Sequence, residues 1–317
     1  MTGQYCAPVP ALPRRQHATF AVLASAALFG TTGTVLVNAP GESDAYSVGA
    51  VRLLIGGAAL TAIAAARRNR AHAPSAPMTA TGRAATTAVG ALGVAVFQLC
   101  YFLAVDRTGV AVGTVATIGS GPMFAGLIAT AIDRRAPTAR WLLGTGLSVG
   151  GVVVLGLMGR DATVNPAGIC LAFLAGLGWA VFASIGKHQI ENGHDSTVTM
   201  AAMFCGGAVL MAPLLIWHHP GWVASGSGAL IALYLGVATV GVAYTLYGFA
   251  LRHLATPTVV TLTLLEPITA AILGAVVVHE QILPVGWIGI GLVLAGLGVI
   301  APRARGEYND QRVETLS

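Results

Sequence analysis

Apolar runs of about 17 to 25 residues, each closed by charges, proline or a polar cluster, recur along the chain, and each is long enough for an α-helix to cross a bilayer core of about 30 Å. They fall at 18–37, 48–66, 84–105, 109–131, 139–158, 166–187, 197–217, 227–250, 256–278 and 284–301. The stretch 196–251 holds no Asp, Glu, Lys or Arg; its length divides into two spans, with HHPGW at 218–222 as the turn. The pattern predicts an all-α integral membrane protein of ten transmembrane helices.

Composition agrees with the pattern, since charged residues make up 9% and hydrophobic residues 55% of the 317 positions. The formal net charge of +5 does not point to nucleic acid, which needs a basic face or an aromatic platform. The basic residues lie in short clusters between the spans and report topology instead. If the N-terminus is cytoplasmic, that side collects Arg14, Arg15, Arg67, Arg68, Arg70, Arg83, Arg134, Arg135, Arg140, Lys187, Arg252, Arg303, Arg305 and Arg312. The opposite side receives Arg107 and Arg160, with Arg52 inside a span, which completes the 17. By the positive-inside rule both termini are expected in the cytoplasm of a multi-pass inner (plasma) membrane protein.

Arg14-Arg15 before the first run suits a secretory signal less well than a retained helix, because the run is long enough to span and nine similar ones follow. Residues 1–17 and 302–317 read as cytoplasmic tails, the first with Pro8, Pro10 and Pro13. Cys6, Cys100, Cys170 and Cys205 lack ligand spacing, and the His218-His219 pair has no acidic or Cys companion nearby in sequence. No metal and no cofactor are expected.

A shift of 145 residues lays Arg107 on Arg252, Pro122 on Pro267, Gly144 on Gly289, Gly146 on Gly291 and Gly151 on Gly296. Five spans per copy is an odd number, so residues 18–158 and 166–301 read as two inverted five-helix repeats. That is the signature of alternating-access transport, with the substrate between the halves. Gly146 with Gly150, and Gly291 with Ala295, have the spacing that lets helices pack closely, making the fifth and tenth spans a scaffold. Pro122 and Pro267 predict matching breaks in the fourth and ninth spans.

The residues Leu28-Phe29-Gly30, Arg52, Pro122 and the run EPITAAILGAVVVHEQILPVGWIGIGLVLAGLGV at 266–299 resemble the drug/metabolite transporter superfamily, in its ten-helix EamA branch. The likeness covers roughly 18–301. At the end of the fourth span the chain reads Asp133-Arg134-Arg135, so Arg135 stands where the second half has Glu280. The resemblance implies secondary transport of small metabolites, commonly export of amino acids or related compounds, without ATP; uptake of a small polar metabolite is the alternative. No P-loop, HExxH or nucleophile motif and no channel filter is present, so an enzyme or channel is not expected.

Glu266 lies about ten residues into the ninth span, near the midplane. A carboxylate at that depth is costly and marks a proton-coupling site or a counter-ion for a substrate ammonium, against the plainer reading of a hydrogen-bonded structural carboxyl. Its counterpart in the first half is Gly121. Gln98 with Tyr101, and Tyr244 with Tyr247, share helix faces and are candidates for a cavity wall, the alternatives being interhelical bonds and an interfacial belt. Phe29 and Trp179 are candidates for stacking or gating, or else core. Arg52 enters near the outer end of the second span, to snorkel or to hold a substrate carboxylate. Glu280, at the outer mouth of the ninth span, is a candidate gate. The expected partners are the lipid bilayer, a small-molecule substrate and protons.

Overall fold

A computed structural model describes residues 12–37, 39–40, 43–67, 80–134, 137–156, 165–277 and 284–300. The fold is all-helical: α1 Leu12–Leu36, α2 Ala45–Arg67, α3 Ala80–Asp133, α4 Ala139–Gly156, α5 Pro166–Glu191, α6 Ser196–Trp217, α7 Gly226–Gly236, α8 Ala243–His253, α9 Thr256–Leu262, α10 Glu266–Val277 and α11 Pro284–Ile300. Among the described residues eight segments are long and apolar enough to cross a membrane, and two shorter apolar helices, Ala139–Val154 and Pro284–Ile300, bring the total to ten. The first helix begins at Leu12, inside the stretch read from sequence as a tail.

α3 holds the third and fourth spans. Its two arms, Thr81–Thr108 and Gly113–Ile132, are both helical, and a Cβ on Gly113 would lie 2.9 Å from the Val105 nitrogen. Eight residues of straight helix would separate these positions by about 12 Å, so the chain doubles back here as a hairpin. The eighth span runs α7, a π-helical segment Val237–Val242, then α8. The ninth runs α9, a 3₁₀ turn Thr263–Leu265, then α10. The expected matching breaks are not both found: Pro267 follows an interruption, whereas Pro122 sits inside α3 without ending it. A proline costs one ladder bond and need not stop a helix whose neighbours hold it.

Helix starts follow local chemistry. Asp44 accepts from the Tyr46 and Ser47 N–H groups ahead of α2, and Asp195 and Asn165 cap α6 and α5 in the same way. At the face opposite α1's first residue, Asp44 Oδ1 also lies 3.3 Å from His218 Nδ1, Tyr46 stacks on His218 with centroids 4.3 Å apart, and buried Trp222 donates to Ser47. His218, alone in sequence, thus gains an acidic companion through the fold. Partial burial pushes the Asp44 carboxyl up, but hydrogen bonds from Ser47 and Tyr46 and the His218 charge outweigh it and hold it below its usual range.

α4 and α11 pack together, but not through the glycines expected. A Cβ on Gly146, Gly150 or Gly291 would meet nothing within 4 Å. The contact runs instead through Gly144 against the Gly296 carbonyl and Ile300, and Gly151 against the Gly289 carbonyl and Val293. Gly289 and Gly296 are the repeat mates of Gly144 and Gly151, so each contact is the image of the other. Between them Ser148 donates to the carbonyl of Val293 at 3.4 Å, its own mate 145 residues on.

Candidate functional site

A cavity of about 30 Å³ lies between the halves. Phe29, Thr32, Arg52, Phe97, Tyr101, Thr117 and Ile118 line it from the first half, and Trp179, Tyr244 and Glu266 from the second. Such a volume admits water but falls far below the roughly 300 Å³ of an ordinary small-molecule pocket.

The broken ninth span positions Glu266 as the first residue of α10, directly after the 3₁₀ turn. Its side chain is half-buried and lines the cavity. α1 lies so close to this turn that a Cβ on Gly30 would come within 2.6 Å of both the Glu266 carbonyl oxygen and Thr269 Cβ. At the matching place in the first half, a Cβ on Gly121 would lie 2.9 Å from the Trp179 ring. The indole occupies the space a second carboxylate would need, which gives the asymmetry between Gly121 and Glu266 a steric cause.

Arg52 does not snorkel. It is 5% exposed, and its Nε–H donates to Thr239 Oγ1 at 3.2 Å, while Nη2 lies 3.5 Å from the Thr239 carbonyl. Thr239 belongs to the π-helical segment and donates its own hydroxyl to Leu235. Widened turns of this kind disturb the regular carbonyl ladder and are frequent at functional sites. The fold therefore brings a guanidinium and a carboxylate of opposite halves to one enclosed space.

Two further polar atoms of residues that line this cavity are buried without a partner among the described residues: Thr32 Oγ1 and Thr117 Oγ1. Tyr101 bonds Thr114 at 3.1 Å. Aromatic rings form the wall: Phe29 against Tyr244 at 4.9 Å, Phe97 against Trp179 at 5.9 Å, and Tyr244 against Phe204 at 4.2 Å. Together these groups offer a guanidinium, a carboxyl group, hydroxyls without a partner among the described residues, and an apolar enclosure.

Of the residues singled out in the sequence, Phe29, Arg52, Tyr101, Trp179, Tyr244 and Glu266 are brought together. Gln98 is buried behind this wall with Nε2 unpaired, and is not part of the lining. Tyr247 is fully buried against Tyr244 and Phe182, not in an interfacial belt and not on the cavity. Pro122 and Pro267 shape helices without lining it. Glu280 lies outside the described residues. Sequence reasoning missed Thr32, Phe97, Thr117 and Ile118. Thr32 lies on the helix face of Leu28-Phe29, and Phe97 one helical turn before Tyr101, so spacing from residues already chosen was the available signal.

A solved crystal structure shares the fold, with a TM-score of 0.74 over 89% of this chain and 97% of that one, at 19% identity. An uncharacterized transporter of Bacillus subtilis (strain 168) is 34% identical over 285 residues, 90% of this chain and 93% of its own. The threonine/homoserine exporter RhtA of Escherichia coli (strain K12) is 30% identical over 182 residues, 54% of this chain and 58% of its own. The sequence profile of the EamA-like transporter family matches twice, over residues 17–157 and 166–301. With ten apolar helices, two repeats and a site enclosed between them, this chain belongs to the EamA-like transporter family.

Proposed function

We propose that the protein exports a small polar metabolite of the amino-acid class by alternating access, driven by proton exchange at Glu266. The observation that carries this reading is that Glu266 and Arg52, from opposite halves, line one enclosed cavity. A substrate ammonium placed at Glu266 and its carboxylate at Arg52 would neutralise both charges at a depth where an unpaired charge is costly. Thr32 and Thr117 would complete its hydrogen bonds, and the rings of Phe29, Phe97, Trp179 and Tyr244 would cover its apolar part. Proton binding to Glu266 removes the charge that holds the ammonium, so protonation and substrate occupancy compete at one group. The exporter named among the relatives supports the direction and the substrate class.

Reconstituted vesicles loaded with labelled amino acids test this directly. The wild type is expected to exchange substrate for protons with a rate that depends on pH, whereas Glu266→Gln retains at most pH-independent exchange, and Glu266→Asp keeps the pH dependence at reduced rate. Glu266→Gln with unaltered transport and pH profile would remove the coupling assignment. Imposing the proton gradient in either direction separates export from uptake.

A further inference from the structure

The π-helical turn that meets Arg52 is held by side chains as well as by its own backbone. Four carbonyls along 235–243 accept from them: Leu235 from Thr239 Oγ1 at 2.6 Å, Gly241 from Thr245 Oγ1 at 2.8 Å, Ala243 from Ser25 Oγ at 2.9 Å, and Thr239 from Arg52 Nη2 at 3.5 Å. All four donor residues are buried. α2 runs against this turn without a gap. A Cβ on Gly56 would collide with the Val240 side chain, and one on Gly241 would lie 2.8 Å from Ala59 Cβ. Surfaces packed this closely do not slide past each other in small steps, so Arg52 and Thr239 keep a fixed register.

That register decides which edge of the guanidinium stays free. The Thr239 hydroxyl gives its one hydrogen to Leu235, so toward Arg52 its oxygen can only accept. Nε–H fills that acceptor, and Nη2 approaches the carbonyl of the same residue. Both contacts lie on one edge of the planar fork. Among the described residues Arg52 makes no other hydrogen bond, which leaves Nη1 and the outer hydrogen of Nη2 as a parallel pair.

A parallel pair of N–H groups matches the two oxygens of a carboxylate. A carboxamide offers one oxygen and a nitrogen that is itself a donor, so half of it opposes the fork. Arg52 lines the cavity between the halves. We infer that Thr239 is a positioning residue: by occupying one edge of Arg52 it presents the other to the cavity, so that the site takes a free carboxylate and rejects the matching carboxamide. This rests on the transport reading and names the group its substrate must carry.

Vesicles loaded with labelled amino acids, or with the same compounds as carboxamides, test it by initial rates. The wild type is expected to show a KM for the acid about 10- to 100-fold below that for the amide. Thr239→Val and Thr239→Ala, which remove the accepting oxygen, should raise the KM for the acid about tenfold and narrow the acid-to-amide ratio. Maximal rate should stay within about twofold, and Thr239→Ser should restore the wild-type values. In an Arg52→Met background Thr239→Val should add nothing, because the hydroxyl acts through the guanidinium. An unchanged acid-to-amide ratio in the two truncations, a loss that serine does not restore, or additive effects in the double variant each overturn the positioning role. Truncations that fail to fold assign the hydroxyl to the helix and overturn it as well. The export reading is judged by pH dependence at Glu266 and survives those outcomes; wild-type vesicles that move none of the acids overturn both.

Discussion

Arg52 and Glu266 line the same cavity, one bonded to the π-helical segment through Thr239 and the other set directly after a 3₁₀ turn. Arg52→Met removes two donor contacts to Thr239 and the positive charge on the cavity. Hydrogen bonds to charged groups are worth about 1.5 to 3 kcal/mol, so the transport KM for a carboxylate-bearing substrate should rise about 10- to 100-fold, with a smaller effect on maximal rate. Initial-rate transport at varied substrate concentration measures that split. His194, in the turn between α5 and α6, supplies a second residue-scale prediction. Burial, and then the charge of Arg83, hold its imidazole below the ordinary value near 6.5. The folded protein thus binds this proton more weakly than the unfolded chain does. The stability tied to neutral His194 is complete above about pH 6.5 and is lost as pH falls through the lower folded value. Between pH 7.5 and 5 the wild type should lose more unfolding temperature than His194→Gln.

At the scale of elements, the pairing of α4 with α11 separates two readings of the same glycines. Gly144→Val or Gly151→Val forces a side chain into the facing backbone and should destabilise by about 1 to 3 kcal/mol. Gly146→Val and Gly150→Val, which meet open space, should stay within about 0.5 kcal/mol; thermal unfolding in detergent ranks the four. The sequence made spans, turns and repeat legible because hydropathy and charge act locally and over lengths set by the bilayer. It could not say which glycine of a closely spaced set faces the partner helix, since that depends on helix rotation. Nor could it place Arg52: its partner Thr239 lies 187 positions away, in a π-helical turn that no composition announces. Glu266 was legible because a carboxylate in an apolar run stands out alone. Thr32 and Thr117 were not, because threonine is an ordinary residue in a membrane helix.

For the molecule as a whole, a cavity of about 30 Å³ cannot admit an amino acid unless the halves move. The face opposite the termini is fastened by Asp44, Tyr46 and Ser47 of the first half against His218 and Trp222 of the second. Alternating access requires that these contacts part once per cycle. Joining Tyr46→Cys to His218→Cys with a short thiol cross-linker should stop transport, and cleaving the linker should restore it. Transport that continues in the joined protein would mean that opening occurs elsewhere.

The meeting of Ser148 with Val293, flanked by two mirror-image glycine contacts, carries a consequence about origin. A residue that touches its own repeat mate sits on a two-fold axis, and a surface that does so is complementary to itself. The second half therefore occupies the seat that an upside-down duplicate of the first would take, as in a homodimer inserted in both orientations. Fusing two such subunits into one polypeptide frees each to diverge, and the lone carboxylate of Glu266, facing an indole where its twin would stand, is what that freedom produced.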